Sequence, residues 1–190
     1  MTPEKDVLVY TPGQKIETKA VKQTVEDQSE QSAQLYLRHK ENGNVAKARQ
    51  LGRRLAEIVV EDLPHIEDNN SEDWLLIDHL KMLYIYVAEQ CIKECPDGIL
   101  YQVSLSAFRD AIEVGVPGAY DAMSGCSADT FYQLAYYRKQ ADQVANNMGK
   151  TMAQLYGKAN DWKIITIGEH LFTAFQQKCR SECEKTEYLL

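Results

Sequence analysis

A chain of 190 residues with 44% apolar and 26% charged side chains has an ordinary globular composition and can bury one sizeable core. A net charge of −7 argues against a dedicated binder of nucleic acid or of an anionic membrane. The longest apolar run, residues 82–88, is far short of the ~20 residues that a membrane-spanning helix needs.

The first residues, Met1-Thr2-Pro3-Glu4-Lys5-Asp6, have neither a basic n-region nor an apolar h-region, so no secretory signal is expected there. Five cysteines, an odd number in a chain able to bury its own core, argue against a disulfide framework and for a reducing cytoplasm. Residues 1–28 hold Pro3, Pro12, Gly13 and many polar side chains around one apolar patch, Val7-Leu8-Val9-Tyr10. Such a stretch buries too little to offset its ordering entropy, so it reads as a flexible arm preceding a single domain, 29–190.

From Ser29 onward the apolar spacing is helical throughout. A first helix over 29–42 ends at Gly43, the residue best suited to a left-handed cap. The second carries Val45, Ala48, Gly52, Leu55 and Val59 on one face and closes before Pro64. Asn70 or Ser71 is placed to cap a third helix over 72–94, apolar nearly all round and therefore central. After the turn Cys95-Pro96-Asp97-Gly98, a fourth helix sets Leu100, Val103, Ala107, Ala111 and Val114 on one stripe. It ends at Gly115-Val116-Pro117-Gly118, and 119–126 read as a connector with room for one short turn of helix. Ser127 is placed to cap a long fifth pattern, Phe131, Leu134, Ala141, Ala145, Met148, Met152 and Leu155, which Gly149 is placed to kink. The sixth, over 161–187, aligns Ile165, Gly168, Phe172, Phe175, Cys179 and Cys183. Gly52 and Gly168, inside apolar stripes, predict close helix approach. The fold class is thus all-α: six helices in three antiparallel hairpins, 29–62, 72–114 and 128–187, forming a helical-repeat-like array or an irregular bundle.

Leu35, Gly43-Asn44-Val45 and Ala48 resemble the loop and second-helix start of a tetratricopeptide repeat. Met152-Ala153, Tyr156, Asn160-Asp161-Trp162 and Ile165 resemble a second, looser copy. The resemblance covers about a third of the chain. It departs from the family at Tyr36, His39 and Ile165, and its turns lie too far apart for a 34-residue period. It implies a non-catalytic scaffold that takes a peptide or partner protein in a concave groove.

Charge points the same way. Residues 38–54 carry Arg38, Lys40, Lys47, Arg49, Arg53 and Arg54 against Glu41, while 61–97 carry ten acids against Lys81 and Lys93. Such blocks either neutralise each other across a helix interface or offer opposed faces to partners. The contact residues expected are Arg49, Arg53 and Arg54, with Tyr132 and Tyr136, since tyrosine joins a large apolar face to a polar tip. Tyr136 and Tyr137, about 100° apart on a helix, do not both face inward. The partner is another protein or peptide, a second copy of this chain among the alternatives, with no nucleic acid and no membrane.

Motifs for enzyme chemistry fail. No phosphate-cradling glycine loop, no His-Glu-x-x-His and no Glu-x-x-His occurs, and His39, His65, His79 and His170 stand singly. No catalytic residue and no cofactor is implied. Two alternatives stay open: a small enzyme whose site is built from scattered residues, and a thiolate metal or redox protein. Cys91/Cys95 and Cys179/Cys183 are i,i+4 pairs, too widely spaced for a relaxed disulfide yet able to bite Zn(II) or Cu(I) if the ends of the third and last helices meet. Against the metal, both pairs continue apolar stripes, where cysteine serves as a small hydrophobe and Cys91 and Cys179 should be buried.

Overall fold

The computed structural model describes the backbone of residues 18–63, 73–95, 97–137 and 143–189, with side chains from Ser29 and, in the third helix, from Leu76. The Val7–Tyr10 patch, residues 1–17, His65, the Asn70 and Ser71 caps and Ala141 lie outside the described residues. Eight helices and no strand occur among them: α1 (Thr18–Glu41), α2 (Asn44–Asp62), α3 (Asp73–Lys93), α4 (Gly98–Gly115), α5 (Ala119–Gly125), α6 (Ala128–Tyr136), α7 (Val144–Leu155) and α8 (Trp162–Glu184).

The all-α class stands, with differences that have physical causes. α1 begins at Thr18 rather than Ser29. Residues 18–28 include Lys19, Ala20, Lys22, Gln23, Glu26 and Gln28 and no Gly or Pro, so a helix already nucleated downstream propagates through them. The connector after Pro117 forms α5. The long fifth pattern splits between Tyr136 and Val144 into α6 and α7, not at Gly149, which lies inside α7. Ser127 is left-handed at φ 56° and makes no side-chain cap.

Gly43, at φ 83°, turns the chain from α1 into α2. Asp97 caps α4, its carboxylate accepting from the backbone N–H of Ile99 (2.9 Å) and Leu100 (3.0 Å). Asp161 caps α8 through Lys163 N–H at 3.0 Å.

α3 is the central element, buried without interruption from Met82 to Ile92. Around it the tightest pairings are α7 on α8 and, skipping a helix, α4 on α2. Glycine sets both. A Cβ on Gly52 would stand 2.2 Å from Ser104 O and 2.9 Å from Phe108 N. One on Gly149 would stand 2.3 Å from Ile165 O, and one on Gly168 2.9 Å from Gly149 Cα. Only at these positions can the helix backbones meet so closely. α8 closes the core by laying Phe175 flat on Tyr84, with ring centroids 4.1 Å apart. Glu89, buried on α3, ties α4 and α5 to the centre: it accepts from Arg109 at 2.8 and 3.2 Å and from the Tyr120 hydroxyl at 3.1 Å.

Two apolar stripes face differently from the expectation. α4 buries Leu100, Ser104, Phe108 and Ile112, leaving Val103, Ala107 and Ala111 half-buried and Val114 83% exposed. α6 buries Ala128, Tyr132 and Ala135, leaving Phe131, Leu134 and Tyr137 on the surface. In α4 the inward stripe, with Leu100, Phe108 and Ile112, removes more apolar area from water than the outward valines and alanines would; in α6 the inward stripe is the one that sets Tyr132 against Tyr86 of the central helix.

Candidate functional site

The α2–α4 crossing leaves a surface groove of about 760 Å³ on the side away from the core. Its floor is the α4 stripe Val103, Ala107, Ala111 and Val114, whose spacing puts all four on one helical face. Arg49 and Arg53, one turn apart on α2, stand over it, with Glu57 and Asp110 at the rim.

These arginines are unpaired for a traceable reason. The acidic stretch 61–97 is neutralised mainly from elsewhere: Lys178 of α8 bonds Asp62, Arg180 of α8 bonds Glu94 at 2.7 Å, and Arg109 of α4 bonds Glu89. From within 38–54, among the described residues, His39 bonds Asp97 at 3.0 Å and Arg54 donates to Glu61 (3.4 Å) and to Glu57 (3.1 Å), both on its own helix. The hydrogen bond to Glu57, ahead of the attraction of Glu61, raises the Arg54 pKa. Among the described residues, neither Arg49 nor Arg53 forms an ion pair. The basic stretch therefore divides: Arg54 is engaged by acids, and Arg49 and Arg53 face the groove.

The tyrosines do not join this surface. Tyr132 is wholly buried beside Tyr86, ring centroids 5.5 Å apart, and burial pushes its hydroxyl pKa far up. A partner cannot touch it, which corrects the expectation for Tyr132. Tyr136 packs inward, edge-on to Phe172 at 6.4 Å, its hydroxyl accepting from Gln176 at 3.3 Å; burial, then the Glu94 carboxylate, raises its pKa. Tyr137 is the outward one of the pair, 62% exposed.

The ends of α3 and α8 do meet, bringing the cysteines together. Cys91 and Cys179 are buried, and the Cys183 thiol points at the Cys91 carbonyl 3.8 Å away. The Cys91 side chain beside Cys179, together with burial, drives the Cys179 pKa well up, and burial pushes the Cys183 thiol to about 12. In this arrangement burial and mutual proximity favour the neutral thiols. Among the described residues no group of three or more His, Cys, Asp or Glu is arranged to hold a metal ion.

The histidines are occupied or bare. His39 places one ring nitrogen 3.0 Å from Asp97 Oδ2 and the other 3.3 Å from Asn44 Nδ2, so neither is open to a substrate. His79 is buried against Tyr156, and burial outweighs Asp78 in lowering its pKa. His170 is exposed on α8. No helix among the described residues is long and apolar enough to cross a membrane. No family model, no curated protein and no solved structure matches this chain.

Proposed function

We propose that the protein is a non-catalytic protein-interaction module whose α2–α4 groove takes an amphipathic helix bearing acidic side chains. One observation carries the reading: the apolar stripe Val103, Ala107, Ala111 and Val114 is left at the surface directly beside two unpaired arginines. Small side chains on the floor let a partner helix approach closely, and Arg49 and Arg53 offer its acids charge complementarity at the rim. The tetratricopeptide-like reading belongs to the same proposal, supported by buried Val45 and Ala48 at the start of α2. So does the reducing, cytoplasmic setting, supported by five free thiols.

A photo-crosslinking residue at position 114 of the full chain tests it. Mass spectrometry of the product should place the link on an acidic helical segment, and Arg49→Glu with Arg53→Glu should abolish it with helical content unchanged. Crosslinking indifferent to that charge reversal, or turnover of a substrate by the partner-free protein, would overturn the reading.

A further inference from the structure

On another face of α2 the chain reads a piece of its own backbone. After α8 ends, residues 186–189 run on without helical structure to the start of α2. There Asn44, itself fully buried, holds Leu189 by both peptide groups: Leu189 N–H donates to Asn44 Oδ1 at 2.8 Å, and Asn44 Nδ2 donates to Leu189 O at 2.6 Å. Asn42 Nδ2 reaches the same carbonyl at 3.3 Å, and Lys47 Nζ donates to Glu187 O at 2.6 Å. Every one of these bonds goes to main-chain atoms, so the clamp is indifferent to which side chains the held segment carries.

The clamp is set in advance. Asn44 bonds His39, His39 bonds Asp97, and Asp97 is fixed by the N-terminus of α4, so the amide is oriented by groups outside the tail. Tyr188, between the two held residues, forms part of the wall of a cavity of about 520 Å³ that also includes Leu51, Cys91, Ile92, Cys95 and Cys183. The Tyr188 hydroxyl is buried and lies beside the hydroxyl of fully buried Ser104 and the Cys95 thiol. A buried hydroxyl such as that of Ser104 favours a held side chain that brings a polar tip to it over a purely apolar one.

We propose that this is an exchangeable site for an extended peptide of a partner protein with an aromatic, polar-tipped side chain at the Tyr188 position, and that residues 187–189 are its resident competitor. Asn44 and Lys47 supply main-chain recognition, and the cavity under Tyr188 supplies side-chain preference. The site does not rest on the α2–α4 groove, and its test separates the two.

The probe is a labelled peptide with the sequence of residues 184–190, titrated by fluorescence anisotropy into the full chain. Leu189→Pro removes the N–H that the tail gives to Asn44 while leaving the walls untouched, so this variant should bind the peptide at least about tenfold more tightly than the unaltered chain. Adding Asn44→Asp, which keeps the acceptor and loses the donor, should reverse the gain. Replacing the peptide's tyrosine by alanine should weaken binding, and Arg49→Glu with Arg53→Glu should leave it unchanged. No binding by a Leu189→Pro chain of normal helical content, or binding indifferent to Asn44→Asp, overturns the proposal. If Leu189→Pro does not fold, excess peptide added to the unaltered chain should speed hydrogen exchange at the Leu189 amide, and exchange unchanged at millimolar peptide overturns it equally.

Discussion

The two faces of α4 are built from similar material and behave oppositely. The inward face, Leu100, Ser104, Phe108 and Ile112, meets α2 across Gly52 and is sealed. The outward face, Val103, Ala107, Ala111 and Val114, has the more uniform apolar pattern yet stays open beside Arg49 and Arg53. Apolar periodicity identifies a face able to be buried, and which face the fold itself uses depends on where a neighbour can approach. Here α2 approaches at Gly52, along the line where Ser104 and Phe108 of the inward face adjoin Ala107 of the outward one.

The contrast can be broken most forcefully at its centre. Phe108→Ala should cost about 3–5 kcal/mol in chemical denaturation, because a fully buried ring leaves a cavity, while Val114→Ala should stay within about 0.5 kcal/mol. Equal effects would mean that the two faces are not distinct. Gly52→Ala should cost about 1–3 kcal/mol even though alanine is the better helix former, since its Cβ would collide with the Ser104 carbonyl. A gain in stability there would show that α2 and α4 are not in close contact.

Asp97→Ala should cost about 1 kcal/mol by uncapping α4 and releasing His39. Burial raises the Asp97 pKa, but hydrogen bonds from Leu100 N–H, His39 and Ile99 N–H outweigh it and leave the net value lowered. Its contribution is therefore complete above the unfolded-state pKa near 3.9 and is lost as pH falls through the lower folded value. Denaturation midpoints measured downward from pH 5 should fall more gently in Asp97→Ala. The smallest effect at neutrality lies nearby, where α8 meets the C-terminal end of α3. Cys183, raised to about 12, favours the folded state below its unfolded pKa near 8.5 and loses that contribution as pH climbs towards 12. Stability should decline over that alkaline range, and less so in Cys183→Ala.

Much of this arrangement was legible in the sequence. Gly43, Asp97-Gly98 and Pro117-Gly118 mark breaks because each supplies a conformation or a cap that a helix interior cannot use. The unbroken apolar run of α3 marks the centre. Gly52 and Gly168 announced close crossings, whereas the i,i+4 cysteines left the meeting of α3 with α8 only as the condition for a metal site. Tyr132 was misplaced because its ring suits a surface as well as a core, and nothing local says which stripe of α6 turns inward. The role of Asn44 was also hidden. In the sequence it is a turn residue, and its partner at Leu189 lies 145 positions away. The separation of Arg49 and Arg53 from Arg54 was equally out of reach, since it depends on Glu57 and Glu61 claiming one guanidinium.

The most direct test of the outward α4 face as a contact surface is calorimetric titration of the full chain with the partner segment identified by crosslinking, at low and at physiological salt. Arg49→Glu with Arg53→Glu should weaken binding by about tenfold or more at low salt and flatten its salt dependence, because exposed charge attraction is screened within a Debye length of ~8 Å at physiological ionic strength. An unchanged affinity with an unchanged salt slope in the double variant would contradict the account.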